Sequence, residues 1–346
     1  MDLQTILILA QDALTNSSIY VLLAMATILV FATTRILFLP QGEFVAFGGL
    51  TLASFQTGIM PGTVWLLLLL ACVAAVMKTV RLLSSGAARD LPKVLAETLL
   101  PAFAIGFVAH ACAPMHLALG WQILLTLLIV TPMGPLIYEV AFRPLADSAT
   151  LVLLTAAVAV HFVLLGSGLL FFGAEGSRTP PFTEAQFTFG NLTVSGQSLW
   201  VYAICILLAA LLAWFFGKTM YGKALRAVAF NRHGARLVGV DPCLAGSLSM
   251  GMAAGIGALS GILIGPITTL YYDSGFLIGL KGFVGAIFGG MASYPVAAAG
   301  ALLVGFLESY SSYWLSSYKD VIVFTLIIPV LLWRSLSSVH FDDEEL

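Results

Sequence analysis

The residues in this chain that could do chemistry are few, and most are charges set in apolar surroundings. Glu43 lies in LFLPQGEFVAFGG, Lys281 in GFLIGLKGFVGAIFGG and Glu308 in LVGFLESY. An ionisable group inside a hydrocarbon layer is expensive to keep, so it marks either a solute pathway or an internal ion pair. Beside Gln41 and Glu43, Pro40 and Gly42 free backbone groups that protein or a water-lined path must satisfy. A second group is basic. The stretch YGKALRAVAFNRHGARLVGVD, residues 221–241, gathers Lys223, Arg226, Arg232 and Arg236 in a chain that is only 9% Asp, Glu, Lys and Arg. Neither group is equipped to break bonds. GxSxG, HExxH and Walker P-loop patterns are absent from the sequence. His110, His116 and His161 stand singly in or near apolar runs and read as hydrogen-bonded packing residues. Cys72, Cys112, Cys205 and Cys243 have neither CxxC nor metal spacing, so they read as small buried residues, with no metal site expected. If ATP drives any work here, another chain must bind it.

The elements that have to position these charges are membrane helices. Hydrophobic residues make up 60% of the 346, above the roughly 45–50% of soluble domains, and the mean hydropathy is +1.02. Such a chain is an integral membrane protein. A net charge of −2 supplies no basic face for nucleic acid. The first residues lack the basic n-region of a signal peptide. About 20 apolar residues cross a bilayer, which predicts spans near 18–36, 62–82, 93–113, 119–142, 149–172, 198–216, 243–264, 294–311 and 320–336. Segments 37–57 and 276–291 are apolar, short and glycine-rich, and each carries a charge. They read as short broken helices buried in the bundle, of the kind that lines transporter cavities. The expected fold is an all-α polytopic membrane protein, a single domain over 1–346, with about eleven segments (roughly 9–11). FVAFGG at 44–49 echoes FVGAIFGG at 283–290 in the opposite direction, the pattern of an inverted repeat. Gly251, Gly255, Gly257, Gly261 and Gly265 form small-xxx-small patterns that let helices approach closely.

Lys and Arg in short loops set the orientation. Lys78, Arg81, Arg89 and Lys93, then Arg143, then Lys218 with the bases of 221–241, then Arg334, all fall on one side if the spans alternate. That side, with the C-terminus, is expected in the cytoplasm. The N-terminus, with Asp2 and Asp12 and no base before Arg35, falls outside, as does loop 173–197. In that loop FTFGNLTVSG alternates Phe187, Phe189, Leu192 and Val194 about a Gly-Asn pair, a β-hairpin signal. Asn191, Leu192 and Thr193 match a glycosylation triplet, a pattern common by chance. The tail HFDDEEL reads as a solvated end.

The basic stretch holds more than topology requires. Residues 224–230 favour helix, Gly234 and Gly239 punctuate, and Pro242 breaks the chain before the next span. Arg232 and Arg236 share a helix face. Ala227, Val228, Phe230, Leu237 and Val238 are superfluous in a loop that only sets orientation; a short docking helix needs them.

The run YGKALRAVAFNRHGARLVGVD resembles the cytoplasmic loop of permeases of the branched-chain amino acid family of ABC importers (LivH/LivM-like). The likeness continues through GFLIGLKGFVGAIFGGMASYPVAAAGALLVGFLES and YKDVIVFTLIIPVLLWR, and includes QGEF and IYEVAFRPLAD. The resemblance implies that 217–241 is a coupling loop, with Lys223, Arg226, Phe230, Arg232 and Arg236 facing a cytoplasmic ATPase. It further implies two ATPase subunits carrying the ATP and Mg, a second permease subunit, homologous or identical, and an external solute-binding protein that touches 173–197. This chain would then be no enzyme and hold no cofactor, and its place would be a bacterial-type inner membrane. Phe38, Leu39 and Pro40 stand where the family has an Asn-Phe-Ala-type lead, which leaves the solute open among branched-chain amino acids and related small polar solutes such as amides or urea. Residues 60–115 have no counterpart in the usual pattern and read as an extra helix pair, facing lipid or an accessory subunit. The alternative class is an ion-driven secondary transporter that works without an ATPase.

Overall fold

The computed structural model describes residues 2–84, 91–115, 117–189 and 192–337. The expectations for Arg89, His116, the Gly190-Asn191 turn with its glycosylation triplet and the acidic tail lie outside these residues, as does the side chain of Arg334.

The chain begins with α1 (Leu3–Thr34), which starts well before the expected position 18. The polar residues that hid its first half, Gln11, Asp12, Thr15 and Asn16, line a cavity instead of forming a loop. Arg35 ends α1 in the left-handed region at φ 61°. A 3-10 turn, Leu39–Gly42, with Pro40 near its start, then opens α2 (Glu43–Gln56). Next come α3 (Thr63–Ser84) and α4 (Leu91–Cys112). The expected span 119–142 is built in pieces: α5 (Leu119–Val130), α6 (Met133–Ile137), a π-helical turn Tyr138–Phe142 and a 3-10 turn Arg143–Leu145. Pro132 and Pro135 fall at and just after the break between α5 and α6, where missing N–H groups disturb the helical ladder. Helix α7 (Thr150–Phe172), strands β1 (Gln186–Phe189) and β2 (Leu192–Ser195), and α8 (Gly196–Lys218) follow. The docking helix expected in 221–241 is in fact two, α9 (Met220–Phe230) and α10 (Arg232–Leu237), because Asn231 turns extended and caps the second with its side chain. Then come α11 (Pro242–Ile264), α12 (Ser274–Phe288) and α13 (Tyr294–Trp314). The last expected span is interrupted at Leu326, giving α14 (Lys319–Thr325) and α15 (Ile327–Ser337).

Among the described residues, 7 helices are long and apolar enough to cross a membrane. Helices α2 and α12 are not; at 14 and 15 residues they reach only about two-thirds of the ~30 Å hydrocarbon core. Burial sorts the long ones. The most apolar window of α1 is 89% buried and that of α11 72%, against 28% in α3, 22% in α4, 28% in α7 and 17% in α8. Thus α1 and α11 form the centre. The outer helices turn Trp65, Phe107, Leu170 and Ile206 outward, as a surface covered by lipid does.

The centre closes without side chains at its tightest points. A Cβ on Gly261 would strike the Val45 carbonyl, and one on Gly42 would strike Gly275 of α12, so α2 is seated on both helices backbone to backbone. Of the other spaced glycines, Gly257 faces Phe44, Gly251 and Gly255 face Pro135 and Thr131, and Gly265 faces Thr179.

Strands β1 and β2 pair antiparallel with Phe187 opposite Val194. The segment before them is tied to the α11–α12 connection: Ser177 bridges Leu270, and Arg178 donates to the carbonyls of Pro266 and Ile267 at 3.0 and 3.2 Å.

Candidate functional site

Four helices meet at Lys281. Its Nζ donates to Glu308 Oε1 at 2.6 Å and lies 2.9 Å from Asp320 Oδ1, while the Tyr20 hydroxyl donates to Glu308 Oε2 at 2.5 Å. This joins α1, α12, α13 and α14 through one network, buried at Tyr20, Lys281 and Glu308 and partly exposed at Asp320. Two carboxylates against one ammonium leave the network formally anionic. Burial of such charges is tolerable only while they remain paired and hydrogen-bonded. Tyr20, Lys281, Glu308 and Asp320 also border a cavity of about 1070 Å³. Its other walls come from the first half of α1 with Asp12, the hairpin and the segment before it with Arg178, the connection after α11, and Lys319 at the start of α14. The volume is at the upper end of small-molecule sites, roughly 300–1,000 Å³. Sequence reasoning missed Tyr20 and Asp320. Tyr20 looked like an ordinary aromatic within a span, and Asp320 sat at the edge of one.

Glu43 does not join this network. Its side chain is fully buried, and His161 Nδ1 of α7 stands 3.0 Å from its Oε1. The distance suits an ion pair, but the direction does not make a hydrogen bond, and both carboxylate oxygens lack one. Gln41, just before it, donates Nε2 to the Ala253 carbonyl of α11 at 2.8 Å and leaves Oε1 unpartnered. The His161 ring packs 4.4 Å from that of Phe276 on α12. His161, read from sequence as a hydrogen-bonded packing residue, packs on Phe276 but makes no hydrogen bond at Nδ1, and what it brings to Glu43 is a close ring nitrogen from α7. No spacing announces this, because the two are far apart in sequence.

The basic segment lies at the other end of α8 from the hairpin. Thr219 Oγ1 caps α9 by accepting from Gly222 N at 3.0 Å. Leu225 and Val228 of α9 and Ala235 of α10 pack with Leu29 of α1 and Ala245 of α11. Lys223 and Arg226 are exposed. So are three apolar side chains: Phe230 is 93%, Leu237 88% and Val238 75% exposed. Arg232 and Arg236, expected to face outward together, reach instead toward the segment after α6. Arg232 Nη1 donates to the Ala146 carbonyl at 2.9 Å, and Arg236 Nη2 lies 3.9 Å from Asp147 Oδ1. Next to that segment, Glu139 accepts from Arg143 and from Arg81 of α3.

Long apolar helices around a buried charge network and a polar cavity define a multi-pass membrane protein rather than a soluble catalyst. The chain belongs to the family described as the branched-chain amino acid transport system permease component, whose model matches residues 94–331. It is similar to the high-affinity branched-chain amino acid transport system permease protein LivH of Escherichia coli (strain K12), 29% identical over 239 residues, covering 65% of this chain and 77% of the relative. It is likewise similar to BraD of Pseudomonas aeruginosa, 28% identical over 216 residues, 60% of this chain and 70% of the relative. A protein described as a probable branched-chain amino acid transport permease protein LivH, from Methanocaldococcus jannaschii, is 28% identical over 224 residues, with the same 60% and 70% coverage. No solved structure matches the chain. Members of this family are membrane transport subunits, not enzymes. The matched region opens inside α4, so α1, the QGEF turn and α3 lie before it.

Proposed function

We propose that this chain is the membrane-spanning permease subunit of an ATP-driven ABC importer, working by alternating access. The observation that carries the reading is the surface of α9 and α10. Phe230, Leu237 and Val238 stand almost fully exposed beside exposed Lys223, Arg226 and Arg236, on helices whose other faces are packed. An apolar anchor ringed by bases is a protein-docking surface, and the partner that family membership supplies is a cytoplasmic ATPase carrying ATP and Mg. ATP binding then biases the assembly by its preference for one conformation. In this reading the chain crosses the inner membrane in about eleven segments, counting α2 and α12 as partial ones. The N-terminus and the hairpin face outside, where a solute-binding protein docks over the cavity, and the C-terminus faces the cytoplasm. Two ATPases and a second permease subunit, homologous or identical, complete it. Branched-chain amino acids are the leading solutes, with amides and urea as related candidates. Lys281 between Glu308 and Asp320 offers both signs of charge at the cavity wall, which suits a zwitterion better than a neutral amide.

Purifying the chain from its native membrane with its neighbours tests this: an ATPase should co-elute in stable association, and solute uptake should require it. A second reading, an ion-driven carrier, is favoured by the buried Glu43–His161 pair. Uptake by the chain alone, abolished by ionophores, would replace the first reading with it.

A further inference from the structure

The peripheral pair α3–α4 carries a residue that a lipid-facing helix does not need. Arg81 lies in the last turn of α3, where a base is ordinarily explained by snorkelling toward headgroups and by the helix dipole. Its guanidinium turns inward instead: Nη1 donates to Glu139 Oε1 at 2.8 Å. Glu139 is buried in the π-helical turn that ends the 119–145 span, so its carboxylate depends on cations for its place. Arg143 supplies one, at 2.9 Å to Oε1 and 2.7 Å to Oε2, but it lies only four residues on and cannot fix the turn against the bundle. Arg81 is the contact that comes from another helix. Immediately beyond Arg143 lie Ala146 and Asp147, the two residues that Arg232 and Arg236 of α10 reach. A path thus runs from α3 through the charged contacts of Arg81, Glu139 and Arg143, and then along the backbone of 143–147 to the seat of α10. Its first member lies before the family-matched region, and the rest lie within it.

We propose that Arg81 is a positioning residue for coupling: α3 holds the 139–147 element at the height and rotation at which α10 seats, and so sets how faithfully motion of α9 and α10 is passed into the bundle. This rests on the reading of α9–α10 as the ATPase contact. Lys78, one turn earlier on α3, provides the comparison. It donates to Thr98 of α4 at 3.0 Å and ties the pair together without reaching Glu139.

The test is the ratio of solute moved to ATP hydrolysed by the full transporter complex in proteoliposomes, with leucine as the solute probe. Arg81→Ala should co-purify with the ATPase and hydrolyse ATP, yet move at least threefold less leucine per ATP. Arg81→Lys should restore most of the ratio, and Lys78→Ala should match wild type. Should the alanine variant not accumulate, Arg81→Gln, which keeps part of the stem, carries the same expectation. A wild-type ratio in Arg81→Ala would overturn the proposal. So would an equal fall in Lys78→Ala, which would mean that any loosening of α3 has this effect. If the wild-type chain binds no ATPase, the coupling reading itself fails, and that outcome is distinct from the others.

Discussion

Lys281 holds Glu308 at 2.6 Å across 27 positions of the chain, and the second Glu308 oxygen is taken by Tyr20 of a helix near the other end of the sequence. The pair is therefore a clasp between α12 and α13 that α1 locks from the side. A buried pair adds little when intact and costs much when halved, because the remaining charge stays in the apolar interior.

Replacing Lys281 with Met strands Glu308 and Asp320 together. Thermal unfolding in detergent should show a loss of about 3–5 kcal/mol. Lys281→Met combined with Glu308→Gln should recover part of it. A single variant as stable as the wild type would mean that the network is water-filled and already solvated.

Arg232→Glu with Arg236→Glu sets an acid against Asp147 and removes the donor to Ala146. The chain should still insert, since the outer helices are untouched. Uptake should fall at least tenfold, the factor that about 1.4 kcal/mol of lost docking energy gives. Uptake assays and ATPase co-elution check this; wild-type uptake counts against α9–α10 as the coupling contact.

Gly261→Leu drives a side chain into the Val45 backbone, which cannot move aside as a flexible side chain could. Overpacking of this kind costs about 1–3 kcal/mol or more, so the variant should accumulate poorly and melt early. Gly166→Ala on α7 has open space around it and should be neutral or slightly stabilising. Equal effects at the two positions would show that the α2–α11 approach is not tight.

Glu43→Gln keeps shape and removes charge where His161 is the close neighbour. Transport or assembly should suffer. With His161→Ala in a double-mutant cycle the coupling should be about 0.5–3 kcal/mol, as for residues in contact. Unchanged transport and assembly in Glu43→Gln would remove the residue from both the pathway and the packing roles.

Much of the architecture was legible because a bilayer demands length and apolarity, and these are written residue by residue. Pro40 and the glycine-rich 276–291 announced α2 and α12 as short. Alternation over 187–194 announced the hairpin. The first half of α1 was illegible, since Gln11, Asp12 and Asn16 break the apolar run in order to line a cavity, and a linear reading takes such residues for a loop. The break at Leu326 is announced only by Pro329, which has no N–H to offer the Thr325 carbonyl one turn back, and a reading of 320–336 as one span passes over it. Charges were legible as charges but not as partners. Glu43 pairs with His161 rather than with Lys281, Lys281 recruits Asp320 and Arg81 reaches Glu139, all through distances that only the folded chain sets. The docking segment was legible in composition, because Phe230, Leu237 and Val238 have no reason to be in a purely topogenic loop. That Arg232 and Arg236 turn back to 146–147 was not.

Helix α8 runs without interruption for 23 residues, from the cap that Ser195 places at the end of the hairpin to the cap that Thr219 places on α9. At 1.5 Å per residue it is a rod of about 34 Å, and with most of its surface free of the bundle it has little to bend around. Such a rod obeys the geometry of a lever. A tilt of about 5° displaces one tip by about 3 Å relative to the other, a distance comparable to a hydrogen bond. Tyr202 and Cys205 hold α8 to Thr15 and Ser18 of α1 between its two caps, so a displacement at either cap would pivot the rod there and reach the other cap as a change in angle.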